Sequence, residues 1–213
     1  MLLTPHLKLW MPFEGNANDN SGNGNNGIVN GATLTDGQFG KCYLFDGVND
    51  YIDVSYSDSL YLTSDFTISF RLKLISINTN YAEIIGNGAD YGWTFFLNPN
   101  SNTLQFRIHN NNITNYTYNV GLMILSVGEW CSVTITYDSN YILTAYENGT
   151  KLNTWDTDWG ALRRVPATGL GIGKVYDRSY YANCLIDDVL IYDKALSETD
   201  ITRLTLGMHP LNG

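Results

Sequence analysis

Two adjacent aspartates, Asp187 and Asp188, lie within CLIDDVLIYD, a run that is otherwise typical of a buried strand. Successive side chains of a regular strand point to opposite faces, so these two carboxylates cannot act together on one bond. One of them must face inward, which is costly unless the carboxylate is paired or bound to a cation. Because the chain has only 12 Lys and Arg residues, a hard cation such as calcium is a reasonable partner. The alternative is an aspartate that accepts hydrogen bonds from loop N–H groups.

Spacing offers little support for catalysis. Glycoside hydrolysis needs two carboxyl groups about 5 to 10 Å apart, which on a strand means positions i and i+2 or i+4. No two of the five glutamates have that spacing: Glu14, Glu83, Glu129, Glu147 and Glu198. Asp156 and Asp158 in NTWDTDWG have it, but an exposed turn is the simpler interpretation of that segment. We therefore expect no catalytic residues.

Aromatic side chains offer a better prospect, because the chain has 15 Tyr and 5 Trp. Sugars present apolar C–H faces that stack on such rings, while Asn and Asp bind the hydroxyl groups. Taken singly, each ring is more simply explained as cover for the rim of the core. The candidate ligand-binding residues are Tyr91, Trp93, Trp155, Asp156, Trp159, Tyr176, Tyr180 and Tyr181.

The elements that position these residues are predicted to be antiparallel strands. Apolar residues alternate with period two in TISFRLKL, TLQFRI and CSVTITYD, and turn residues separate such runs throughout. This pattern predicts an all-β, two-sheet jelly-roll sandwich. The end of the chain differs: in ALSETDITRLTLG, Ser197 can cap a short helix whose apolar face carries Ile201 and Leu204. We expect a single domain over residues 1–213, with its core at about 8–206.

Composition limits the partners and the setting. A formal charge of -9 and the lack of a Lys/Arg cluster argue against nucleic acid. The sequence has no run of 18 apolar residues, so we expect no membrane insertion. No signal peptide is visible at the start of the chain. The three cysteines, Cys42, Cys131 and Cys184, are odd in number and far apart, so we expect buried free thiols.

Several motifs, taken in order, resemble the laminin-G-like family of concanavalin A-like jelly rolls. They are LWMPFEG, DNSGNGNNGIVNGAT, GQFGKCYLFDGVNDYIDV, DFTISFRLKL, EWCSVTITYD, LTAYENGT, LGIGK and LIDDVLIYDKALSETDI. The resemblance implies two stacked antiparallel sheets, with strands from both chain ends in one sheet and a short helix after the last strand.

The resemblance also implies a calcium ion, Ca2+, between the N-terminal segment and the last strand. Asp187 would be its principal ligand, Glu14 and the carbonyl of Gly47 its partners, and Asp19 a weaker candidate. Enzymes of the superfamily carry a Glu-x-Asp-x-Glu strand, and this sequence has none. The resemblance therefore implies binding rather than hydrolysis.

The expected function is non-enzymatic recognition of a glycan or cell-surface polysaccharide, with a structural calcium. An Asn- and Tyr-rich surface suits an adhesin on a bacterial surface or a virion. One alternative is a structural module that binds another protein of a larger assembly. A hydrolase or lyase that uses Asp156 and Asp158 is the third class.

Overall fold

The computed structural model describes residues 4–62, 64–77, 81–88, 92–99, 102–109, 117–157, 168–175 and 179–208. Within these ranges the chain forms two antiparallel sheets, one of eight strands and one of seven. The strands are β1 (Leu7–Met11), β2 (Gly27–Asn30), β3 (Thr33–Asp36), β4 (Lys41–Asp46), β5 (Tyr51–Val54), β6 (Phe66–Leu74), β7 (Ala82–Gly86), β8 (Trp93–Asn98), β9 (Thr103–His109), β10 (Thr117–Ile124), β11 (Trp130–Tyr137), β12 (Ile142–Glu147), β13 (Thr150–Asp156), β14 (Leu170–Ile172) and β15 (Asn183–Tyr192). Helix α1 spans Glu198–Thr205, and single 3-10 turns span Thr4–His6 and Asp58–Leu60.

The strand order matches a jelly-roll sandwich. The first sheet runs β13-β12-β11-β6-β15-β4-β3, with β1 also paired to β15. The second sheet runs β10-β9-β8-β7-β14-β5-β2. The predicted fold is thereby confirmed, including the strands from both chain ends in one sheet.

The main core lies between the sheets and follows the period-two pattern of the sequence. Ile68, Phe70 and Leu72 of β6 are buried there, opposite Phe95 and Phe106 of the second sheet. The rings of Phe70 and Phe95 meet edge to face with centroids 4.9 Å apart. Such pairs stabilise a core beyond the area they bury.

Strand β15 is the centre of the first sheet, and it is irregular in its middle. Its first half pairs with β4 and its second half pairs with β1, while β6 lies along its other side. The register with β6 shifts between Asp187 and Leu190, and Asp188 has φ +49°. This β-bulge lies where β4 ends and β1 takes over, so it re-aims the side chains at that junction.

Helix α1 covers the outer face of the first sheet. Ser197 caps it: its hydroxyl accepts from the Asp200 N–H at 3.2 Å and donates to the Asp200 carboxylate at 2.7 Å. Ile201 and Leu204 pack into a second apolar cluster with Trp10 and Tyr192. The predicted helix and its cap are confirmed.

The three cysteines are free and buried, as predicted. Burial raises the pKa of the Cys42 and Cys131 thiols to about 12. In the part of the chain that the structure describes, no helix is long and apolar enough to cross a membrane.

Candidate functional site

The β15 bulge holds a buried carboxylate with one unsatisfied oxygen. Asp187 is 0% exposed, and its Oδ1 accepts a hydrogen bond from the Asp188 N–H at 2.8 Å. Its Oδ2 has no hydrogen-bond partner among the described residues. Burial, together with the nearby negative charge of Asp188, raises the pKa of Asp187 to about 8. An inward, unpaired carboxylate of this kind is what the sequence predicts for one of the two aspartates.

Glu14, from the N-terminal segment, lies against the β3–β4 turn, which also contacts Asp187. Its two carboxylate oxygens accept from the Lys41 N–H at 3.1 and 3.3 Å, which joins the segment after β1 to the start of β4. The Glu14 charge also helps to raise the pKa of Asp187. Two glycines of the β3–β4 turn permit this arrangement: a Cβ at Gly40 would overlap the Glu14 carboxylate, and one at Gly37 would lie 3.2 Å from Asp187 Oδ2. Asp187, Glu14 and this turn therefore form one acidic site.

Of the other two predicted ligands, Gly47 lies away from Asp187, and Asp19 accepts main-chain hydrogen bonds in the loop after β1. Gly47 follows β4 and lies against Asn183, four positions before Asp187 on β15, or about 13 Å along the strand. The Asp19 carboxylate accepts from the N–H groups of Trp10, Ser21 and Asn25 at 2.9 to 3.1 Å. Strand register thus places Gly47 away from an ion at Asp187, and Asp19 organises the loop after β1.

Asp188 is satisfied by a buried arginine that the sequence did not single out. Its Oδ2 accepts from Arg71 Nε at 3.1 Å, and both side chains are almost fully buried. The same guanidinium donates to Gln38 Oε1 at 3.3 Å and to the carbonyls of Leu204 and Thr205 at 3.1 and 2.9 Å. Arg71 therefore ties the bulge, the β3–β4 turn and the end of α1 together.

The donor set at Asp187 suits a hard cation better than a transition metal. Among the described residues, no three His, Cys, Asp or Glu side chains are grouped so that they could share an ion. Asp187 and Glu14 would be the carboxylate ligands of a calcium ion, and main-chain carbonyls and water would supply the rest. The unsatisfied Asp187 Oδ2 is the atom that such an ion would satisfy.

An open cavity of about 370 Å³ adjoins this site. Its walls include Trp10, Glu14 and Asn20 from the N-terminal segment, and Phe39 from the β3–β4 turn. Asp188 and Leu206 complete the wall from the bulge and the end of α1. The cavity therefore combines aromatic rings with carboxylate and amide oxygens.

A family model described as Laminin_G_3, of the concanavalin A-like lectin/glucanases superfamily, matches residues 46–202. The chain belongs to this laminin-G-like family. No curated protein matches it in sequence.

Solved structures share the laminin-G-like fold at low sequence identity. The binding domain of Paraclostridial Mosquitocidal Protein 1 is 22% identical, with TM-score 0.80 over 95% of this chain and 52% of that one. Domain 4 of AbnA, an extracellular GH43 arabinanase from Geobacillus stearothermophilus, was solved with arabinotriose. It is 19% identical, with TM-score 0.74 over 94% of this chain and 98% of that one. The binding domain of botulinum neurotoxin DC, solved with rat synaptotagmin II, is 20% identical, with TM-score 0.73 over 97% of this chain and 52% of that one. The chain thus spans about half the length of these toxin binding domains.

The predicted sugar-stacking residues that the structure describes are dispersed over this laminin-G-like chain. Trp93 is only 2% exposed and packs on Phe95 and Phe106, so it is a core residue and not a stacking surface. Trp155 packs partly against the core from the edge strand β13, and Asp156 beside it is exposed.

Tyr180 and Tyr181 lie together just before β15. Tyr180 is 40% exposed, and the Tyr181 ring lies 6.4 Å from that of Tyr51. The remaining predictions fall outside the described residues: Tyr91, Trp159 and Tyr176.

The fold also brings together two glutamates that sequence spacing separates. Glu129 and Glu147 line a second cavity of about 270 Å³ between the ends of β6, β10, β11 and β12. Glu147 Oε1 is 3.7 Å from the Cys131 thiol. Spacing within one strand could not reveal this pair, because the two residues come from different segments.

Proposed function

We propose that this laminin-G-like chain is a non-enzymatic recognition domain that binds carbohydrate. The observation that carries the proposal is the state of the two carboxylates at the bulge. Asp187 is fully buried and Asp188 is paired with Arg71, which favours a structural role for both over acid–base chemistry on a glycosidic bond. The nearby acidic groups are arranged to hold the structure, and the adjoining cavity presents aromatic and polar side chains.

The comparisons support a binding role. AbnA domain 4 matches over almost its whole length and was solved with arabinotriose, and the toxin structures are binding domains. We extend recognition to this chain as part of the proposal, with a glycan or cell-surface polysaccharide as the partner. We place it outside the cell or on a virion surface, as an adhesin within a larger assembly.

A glycan array of bacterial and host polysaccharides tests this function with the full chain. We expect binding to at least one class of glycan, with the bound glycan recovered intact. Release of shorter products that is lost in Glu147→Gln or Asp156→Asn would contradict the non-enzymatic assignment. No binding across the array would remove the carbohydrate proposal.

In that event a protein-interaction module is the second candidate. Three apolar side chains of β2 and β3 are exposed: Ile28 by 64%, Val29 by 37% and Leu34 by 40%. Apolar groups on edge strands are suited to contact another protein. The neurotoxin DC domain, which was solved with synaptotagmin II, shows that a related fold is compatible with a protein partner.

We also propose that Asp187 and Glu14 hold a structural calcium ion. Such an ion would neutralise the buried Asp187 charge and join the N-terminal segment to the last strand. Chelation with EDTA is expected to lower the Tm of the wild-type chain, because a ligand that binds only the folded state stabilises it. Asp187→Ala should abolish this dependence, and an exposed acidic control, Glu198→Ala, should keep it. An EDTA shift of equal size in Asp187→Ala would rule out this site.

A further inference from the structure

The cavity beside the bulge is built by buried contacts rather than by loose loops. Arg71 holds three of its walls, since it bonds to Asp188, to the turn that carries Phe39 and to the last carbonyls of α1. The fourth wall is fixed by the Asp19 bonds and by the Asn20 N–H, which donates to the Trp10 carbonyl at 2.7 Å. A ligand there would meet a site that is already formed, which lowers the entropic cost of binding.

The apolar part of the wall is accessible. Phe39 is 48% exposed and Leu206 is 61% exposed, so both present apolar surface to the cavity. The Arg71 guanidinium lies 4.5 Å from the Phe39 ring centroid, so a cation–π contact fixes the ring while half of its surface stays open. An exposed, fixed aromatic ring is suited to stack on the C–H face of a sugar.

The polar part of the wall consists mostly of acceptors. Glu14 and Asp188 contribute carboxylates, and the exposed Asn20 contributes its side-chain amide. The Arg71 charge behind the wall is balanced by its pair with Asp188. A ligand with many hydroxyl donors matches this wall, whereas a carboxylate or sulfate would be repelled by Glu14 and by the chain's net charge of -9.

We infer that this cavity, between the N-terminal segment, the β3–β4 turn and the end of α1, is the binding site for a short neutral oligosaccharide. The inference rests on the carbohydrate-binding function proposed above and names its site and ligand class. The volume of about 370 Å³ lies within the range of small-molecule sites, roughly 300–1,000 Å³.

Isothermal titration of the full chain tests the site with neutral probes such as arabinotriose and cellotriose, and with an acidic probe, trigalacturonic acid. We expect a neutral probe to bind, with trigalacturonic acid at least about tenfold weaker at low salt. Phe39→Ala and Asn20→Ala should each weaken binding on the order of tenfold. Tyr81→Ala is the matched control, because this ring is similarly exposed, by 46%, but lies before β7, outside the cavity wall. It should bind as the wild type does.

The outcomes separate this site from the broader function. If Phe39→Ala does not fold, Asn20→Ala decides, since Asn20 is exposed and its main-chain bond to the Trp10 carbonyl is kept by alanine. Unchanged binding in folded Phe39→Ala and Asn20→Ala, or a preference for the acidic probe, would overturn the cavity and leave carbohydrate binding standing. If no glycan on the array binds, both the cavity site and the carbohydrate-binding function are ruled out.

Discussion

Asp187 and Asp188 are neighbours in sequence with different surroundings, and this difference explains the chemistry of the bulge. Asp188 has a cationic partner in Arg71, whereas Asp187 keeps one oxygen unsatisfied at 0% exposure. A buried carboxylate without a partner is expected to stay protonated or to bind a cation. The two states make different predictions for the effect of pH.

In EDTA, the free energy of unfolding should fall as the pH rises from about 5 to 8. The folded-state pKa of Asp187 is about 8, well above the ordinary aspartate value of 3.8. Between these values the folded chain keeps a proton that the unfolded chain has lost, so stability falls by up to about 1.4 kcal/mol per pH unit. Urea denaturation at pH 5, 6 and 7 measures the slope.

Asp187→Asn is the control for this slope, because it keeps the shape of the side chain and removes the titration. Its stability should change less steeply over the same range. Equal slopes in the two proteins would mean that Asp187 is not a buried acid of raised pKa.

At the scale of elements, β15 shows where sequence patterns predict well and where they do not. The apolar run CLIDDVLIYD predicts a buried strand, and the Ser197 cap predicts α1 after it. The sequence pattern does not predict the bulge. The bulge lies where pairing of β15 passes from β4 to β1, two strands that are far apart in sequence. The rule that adjacent side chains face opposite ways therefore applies poorly here: both aspartates are buried.

The candidate sites show the same division between local and long-range information. Trp93 could have been recognised as a core residue, since Trp93, Phe95 and Leu97 continue a period-two pattern. The partners of Asp188 and Asp19 could not have been recognised from the sequence. Arg71, which pairs with Asp188, looks like any polar residue of β6, and Asp19 accepts from main-chain N–H groups that carry no sequence signal. The family resemblance pointed to Asp187 and Glu14 as ligands of an ion, which stays a prediction, and strand register places Gly47 away from Asp187.

At the scale of the whole molecule, the two ends of the chain complete one sheet. Strand β1 pairs with the second half of β15, and Lys8 forms an ion pair with Asp193 at 2.8 Å. Side chains of the segment 7–13 enter both apolar clusters: Leu9, Met11 and Phe13 enter the main core, and Leu7 and Trp10 enter the cluster beneath α1. The N-terminal segment is therefore part of the folding unit rather than an appendage.

A chain that begins at Gly15 should not unfold cooperatively. It lacks five buried side chains, each worth roughly 1.5–3 kcal/mol, against a net stability of roughly 5–15 kcal/mol for a typical protein. It also leaves the second half of β15 without the β1 hydrogen bonds. Urea unfolding followed by circular dichroism should show a broad transition or none. Lys8→Ala is the matched control: it removes a partly exposed ion pair and a long hydrogen bond to the Pro5 carbonyl, so it should cost less than about 1 kcal/mol. A sharp transition of the shortened chain near the wild-type midpoint would show that the remaining strands close the sandwich without β1, and that the two chain ends fold independently.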